Sequence, residues 1–152
     1  MATNSKDKKY ATYYIAFLDM LGFKNLVNDE AKFDYIMRVF EKIDRNYKIE
    51  SVLWDEHGNQ VTSDKEYFIN TKIISDSICL YINADDEQNL LLLLFTCKVV
   101  QWELTNLETP ILLRGGIVKG KLYSDGNIIF GPGLTKAYLL EEQKRVWLDC
   151  AQ

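Results

Sequence analysis

Apolar residues fall in short blocks of two different periods along this chain of 152 residues. Tyr10–Asp19 is aromatic and β-branched with no turn former inside it, which predicts a strand ending on a carboxylate. Gly22 permits a sharp turn into a helix. Phe33, Ile36, Met37, Phe40, Ile43 and Tyr47 then recur at steps of three and four, the spacing of an amphipathic helix. Ser51–Trp54 and Gln60–Thr62 flank Asp55-Glu56-His57-Gly58-Asn59 as a loose hairpin, and Tyr67–Ile74 with Ile78–Ile82 form a second strand pair. Glu87–Leu104 reads as a helix apolar almost all round, buried between a sheet and something else, for which a second subunit is a candidate. Leu112–Tyr123 is a strand carrying Arg114-Gly115-Gly116, and Ser124-Asp125-Gly126-Asn127 signals a hairpin into Ile128–Phe130. Gly131-Pro132 opens a last helix, proline being favoured at the first position, and the helix runs to about Gln143. Arg145–Leu148 reads as a short final strand.

This order predicts an α+β domain with a mainly antiparallel sheet, a split βαβ core of the palm or ferredoxin-like kind, and helices packed on one face. Residues 1–9 form a polar tail expected to be disordered, and residues 10–152 a single domain. The final strand would be short and without an evident partner, which truncation or a second subunit would explain.

The charge changes the picture in one respect. Residues 1–110 hold 12 Lys/Arg against 18 Asp/Glu, whereas residues 111–152 hold 6 against 4. A phosphate group held between a metal ion and cations would suit that asymmetry, and so would scattered surface charge. Nothing clusters Lys and Arg as a nucleic-acid surface requires. Cys79, Cys97 and Cys150 lack CxxC spacing and read as reduced thiols of a cytoplasmic protein. Leu90–Phe95 is strongly apolar but far shorter than the roughly 20 residues of a membrane span, so no direct membrane contact is expected.

Two aspartates carry the candidate chemistry. Asp19 ends the run Tyr13–Leu18, and Asp76 sits in the polar step Ser75-Asp76-Ser77 between two strands. Carboxylates at adjacent strand ends can seat one or two Mg²⁺ or Mn²⁺ ions, which take their other ligands from water and phosphate. Each aspartate also has an ordinary alternative, a helix N-cap for Asp19 and a turn residue for Asp76. Leu21-Gly22-Phe23 follows Asp19 into a helix N-terminus, where backbone amides could receive phosphate. Phe17 shares the face of Asp19 by strand alternation and could touch a ribose or base, or simply belong to the core. Arg114 has the planar fork suited to phosphate, or to a structural ion pair.

The segments FLDMLGF, KIISDSICLYI, RGGIVKGKLY and FGPGLTKAYLLE, in this order, resemble the catalytic domain of class III nucleotidyl cyclases, most closely the pyrimidine cyclases of bacterial anti-phage defence. The resemblance spans Tyr13 to Glu141. It implies that Asp19 and Asp76 bind two Mn²⁺ or Mg²⁺ ions per site, with the carbonyl of Met20 a further ligand. It places Lys72 where adenylyl cyclases of the family carry a base-recognising lysine, an ordinary strand lysine reaching solvent being the alternative, and it implies that UTP or CTP becomes the 3′,5′-cyclic nucleotide and pyrophosphate. A homodimer with sites at the subunit interface is expected, and a downstream effector that responds to the product. The distal helix departs from the family pattern. Thr135 stands where asparagine is usual and Leu139 where arginine is usual, so a catalytically degenerate domain that binds a nucleotide or a partner is the rival expectation. Ser77, beside Asp76, argues against a palm-type polymerase, which would carry a second acidic residue there.

Overall fold

The computed structural model describes residues 9–45, 47–54, 57 and 60–149, so the tail 1–8 and Cys150 lie outside the described residues. A single six-stranded sheet organises them. Strand β1 is Ala11–Met20, β2 Tyr47–Trp54, β3 Gln60–Ile74, β4 Ser77–Asn83, β5 Leu113–Asp125 and β6 Ile128–Phe130. Helix α1 is Phe23–Val27, α2 Phe33–Ile43, α3 Gln88–Thr105 and α4 Pro132–Asp149. The sheet order is β2-β3-β4-β1-β5-β6, and every neighbouring pair is antiparallel. The fold is therefore α+β. Strands β4 and β5, joined through α3, run in the same direction with β1 inserted between them.

Alternation along the strands splits the core in two. Ala16, Leu18 and Met20 of β1 join Ile78, Leu80 and Ile82 of β4 beneath Val39 and Ile43 of α2 and Leu93, Val100 and Leu104 of α3. On the opposite face, Ile15 and Phe17 join Cys79, Tyr81, Val118 and Leu122 beneath Ala137 of α4. The expectation of helices on one face is thus corrected: α4 lies alone on the far side. It can do so because β5 and the helix meet through glycines. A Cβ on Gly120 would stand 2.6 Å from the Cα of Gly133, and one on Gly116 2.6 Å from the Leu140 side chain. Only side chains reduced to hydrogen let the helix come this close.

Three element readings are also corrected. Residues 145–148 are not a strand but the continuation of α4. Glu141 to Arg145 contains only good helix formers and neither glycine nor proline, so nothing ends the helix at Gln143. The two strands read at Gln60–Thr62 and Tyr67–Ile74 are one strand of fifteen residues. It pairs with β2 along its first part and with β4 along its last. The buried stripe of α2 is Tyr35, Val39 and Ile43, whereas Phe33 and Met37 are exposed. The Tyr35 hydroxyl donates to the Thr109 carbonyl, which turns this stripe inward. Of the turn expected at 55–59, only His57 is among the described residues, and it is exposed.

Among the described residues, no helix is long and apolar enough to cross a membrane.

Candidate active site

Strand β1 brings the two aspartates together. Its last turn of pairing sets Asp19 opposite Ser77 on β4 and opposite Arg114 on β5. Ser77 in turn faces Ile74 on β3, so Ile74, Ser77, Asp19 and Arg114 form one row across four strands. Ser75 and Asp76 make the tight turn from β3 to β4, with Ser75 at φ 57°. That left-handed conformation is uncommon for a side chain larger than glycine and holds the turn in one shape. The Met20 amide donates to the Asp76 carbonyl at 2.8 Å, and the Leu21 amide to the Leu112 carbonyl at 2.9 Å. The end of β1 is thereby fastened to the Asp76 turn on one side and to the start of β5 on the other.

Asp19 is 4% exposed. Its Oδ2 receives Arg114 Nη2 at 3.4 Å, and the same guanidinium reaches Glu141 Oε1 at 3.1 Å from Nη2 and 3.2 Å from Nε. Glu141 is 2% exposed and comes from α4, on a stripe with Gly133 and Ala137 at steps of four. Burying two carboxylates is costly unless a cation accompanies them, and Arg114 supplies it. Sequence reasoning passed over Glu141. Its signal was a glutamate four residues after a small residue on the inward face of the helix. Asp76, by contrast, is half-buried, and among the described residues its carboxylate makes no hydrogen bond or ion pair.

The other expected site residues divide clearly. Phe17 is buried under α4, its ring edge-to-face with Tyr138 at 5.7 Å between centroids, so it belongs to the core. Lys72 lies on the same face but points to the β5–β6 turn, where its Nζ donates to the Gly126 carbonyl at 2.7 Å. Leu21 and Gly22 are exposed and Phe23 is buried. Gly22 adopts φ 79° and starts α1, yet that helix has only five residues and little dipole to offer an anion. Thr135 and Leu139 are exposed on α4, on the side away from Asp19. They line a cavity of about 550 Å³ with Val118, Pro132, Lys136, Leu140 and Gln143. Asp19, Met20, Asp76 and Arg114 are therefore brought together, whereas Lys72, Thr135 and Leu139 are not.

Buried thiols do not add chemistry here. Burial pushes the Cys79 thiol from 9.0 up to about 12, and the Cys97 thiol up to about 11, so both are protonated and unreactive near neutral pH. Burial also raises the Tyr81 phenol, against the lowering effect of its hydrogen bond with Ser124.

The donor set can be tested against a divalent cation. Among the described residues, no group of three or more His, Cys, Asp or Glu side chains converges. Two carboxylates are what Mg²⁺ or Mn²⁺ commonly takes from a protein, the rest coming from water and phosphate. The described charges at this end of the sheet are Asp19, Asp76 and Glu141 against Arg114, an excess of negative charge of the sign and size that a divalent ion offsets. The residues present fit such an ion. No protein-family model, curated protein or solved structure matches this chain.

Proposed function

We propose that the chain is a nucleotidyl cyclase acting on a pyrimidine nucleoside triphosphate, UTP before CTP. The observation that carries this reading is the juxtaposition of Asp19 and Asp76, fixed by the 2.8 Å bond between the Met20 amide and the Asp76 carbonyl. The resemblance to class III cyclases supports it, and under that resemblance the product would be a second messenger in anti-phage defence.

Asp19 and Asp76 would hold Mg²⁺ or Mn²⁺, with the Met20 carbonyl beside them. When bound, the ions lower the pKa of the ribose 3′-hydroxyl and neutralise the triphosphate. The chain itself positions groups and balances charge. Arg114 offers a forked cation next to Asp19, able to follow charge as it develops on phosphate oxygens. The bond formed is 3′-oxygen to α-phosphorus, and the bond broken joins the α-phosphorus to the bridging oxygen. Pyrophosphate leaves, and the hydroxyl proton passes to solvent. Because the chain is acidic, triphosphate approach depends on the divalent ion, and turnover should be strictly metal-dependent.

A second reading has its own observation. Asp19 lies under α4 with Arg114 already against it, and Leu139, in the position of the family arginine, is 46% exposed with no charge to offer. A domain that binds nucleotide or a partner without turnover would have these features.

Incubation with ATP, GTP, CTP and UTP separately, each with Mn²⁺, and mass spectrometry of the products tests both. A 3′,5′-cyclic nucleotide from UTP or CTP, lost on Asp76→Ala, is the expected result. Full activity in Asp76→Ala would overturn the metal assignment, and no product from any triphosphate would leave the second reading.

A further inference from the structure

On the Tyr14 face of the sheet, the start of β1, the end of β5 and β6 carry an aromatic row. Ala11 pairs with Leu122, so Tyr10 lies beside Tyr123, and Tyr123 pairs with Phe130. The Tyr10 and Phe130 rings meet edge to face at 5.9 Å between centroids, and those of Tyr123 and Phe130 at 5.0 Å with a 38° tilt. Tyr10 is nevertheless 50% exposed, Phe130 48% and Ile128 61%. With Lys9 these four side chains line a cavity of about 510 Å³, the size of a small-molecule site. Folding, not sequence proximity, gathers the cations. Lys121 pairs with Thr12, two positions before Tyr123 on the same face, and is exposed. Among the described residues its ammonium makes no hydrogen bond or ion pair. Lys119, one step further, lies over the Tyr14 ring at 5.3 Å.

We infer that this cavity binds a nucleoside phosphate, its base stacked on the Phe130 and Tyr10 rings and its phosphate at Lys9 and Lys121. Rings that brace one another keep their orientation, so little freedom is lost when a planar ligand arrives. Any base can stack there, since each has a π-face. The lysines set the sign of the ligand: they repel an aromatic cation and attract an anion. Nearby carboxylates limit its size. Asp125 follows Tyr123 on the same face and accepts from the Tyr123 hydroxyl at 3.4 Å. Asp85 and Asp86 come just past β4, where the Ala84 amide donates to the Thr12 carbonyl. A strand of nucleic acid would drag further phosphates past these acids, whereas one nucleotide needs only the two lysines. Tyr10 precedes Asp19 by nine positions along one chain segment, about 30 Å, and lies on the other face of the sheet. The cavity is therefore separate from Asp19, and its occupant does not depend on the proposed catalytic reading.

Titration calorimetry on the full chain in EDTA, with AMP and adenosine as probes, tests this. AMP should bind with a dissociation constant on the order of 0.1–1 mM, as one stacked base and two solvent-screened cations provide. Adenosine should bind roughly 5–10-fold more weakly at low salt, and the gap should close at high salt. The base protons of AMP should move upfield in proton NMR, the mark of stacking on a ring. Phe130→Ala should weaken both ligands by about 5-fold or more. Lys121→Glu should bring AMP down to the affinity of adenosine and leave adenosine unchanged. Should Phe130→Ala disturb the fold by circular dichroism, Lys121→Glu still decides, because that side chain is exposed. No binding of AMP up to about 10 mM overturns the inference. Equal affinity for AMP and adenosine at low salt overturns it, as does AMP binding that neither substitution alters, since the ligand then sits elsewhere. An oligoadenylate of about ten nucleotides held more than about tenfold tighter than AMP would overturn the limit to a single nucleotide.

Discussion

Arg114 stands directly across the β1–β5 pair from Asp19 and places its guanidinium 3.4 Å from that carboxylate. The same Nη2 reaches Glu141 at 3.1 Å, so one cation ties the end of the central strand to the helix that covers it. Arg114 therefore bears on stability and on the candidate chemistry together.

Removing that cation should be expensive. Arg114→Ala leaves Asp19 and Glu141 buried without it, and a loss of about 3–5 kcal/mol is expected in urea unfolding at neutral pH. Glu141→Gln should cost clearly less, because Arg114 keeps Asp19. Equal losses from the two variants would mean that the three side chains do not share charge in this way.

The approach of α4 to the sheet is equally testable. Gly120→Ala would set a methyl group 2.6 Å from the Cα of Gly133, where backbone meets backbone and nothing flexible can yield. A loss of about 1–3 kcal/mol is expected, as for other overpacked contacts. Gly126→Ala is a useful contrast. No atom lies within 4 Å of its added Cβ, so any cost there comes from its φ of 55° alone.

Gln101 fastens the start of β5. Its Nε2 donates to the Ile111 carbonyl at 3.1 Å, and its Oε1 accepts from the Leu113 amide at 2.8 Å. Leu113 immediately precedes Arg114. Gln101→Leu should cost about 1–3 kcal/mol by leaving both backbone groups without a partner. Hydrogen exchange at Leu113 should accelerate; unaltered exchange would show that the strand pairing alone holds this segment.

Alkaline pH should weaken the fold. The Cys79 thiol is raised from 9.0 to about 12 by burial, so the native chain keeps a proton that the unfolded chain gives up. Its contribution to stability is whole below about pH 9 and is lost as pH rises toward 12. The slope is up to about 1.4 kcal/mol per pH unit for that proton. Burial raises Tyr35, Tyr47 and Tyr81 in the same direction. Denaturant titrations between pH 8 and 11 should show the decline, and Cys79→Val should flatten part of it.

The legible part of this fold was written in apolar blocks. Tyr10–Asp19 is recovered as β1 within one residue at each end, and Ile128–Phe130 as β6, because strand propensity and turn chemistry agree there. The meeting of Asp19 and Asp76 was legible for the same reason: both end apolar runs on strands that the pattern makes neighbours. The length of α4 was not, since residues 144–149 look the same by pattern whether a strand or a helix follows Gln143. Nor was the face on which α4 lies. That depends on Gly120 and Gly133 meeting in space, and no periodicity within either element announces it. Lys72 shows a further limit. Its partner is the Gly126 carbonyl, 54 residues along the chain, in a turn whose position over the sheet only the folded chain defines.

The glycine contact between β5 and α4 also has a mechanical side. It sits near the beginning of the helix, and Glu141 lies eight residues further on, about 12 Å along the axis. A fulcrum at one end makes the remainder a lever. Tilting α4 by about 10° around Gly133 would carry Glu141 through about 2 Å, enough to part it from Arg114 while the glycines stay in touch. A rotation of that size would be enough to loosen the contact that closes Asp19 on the helix side.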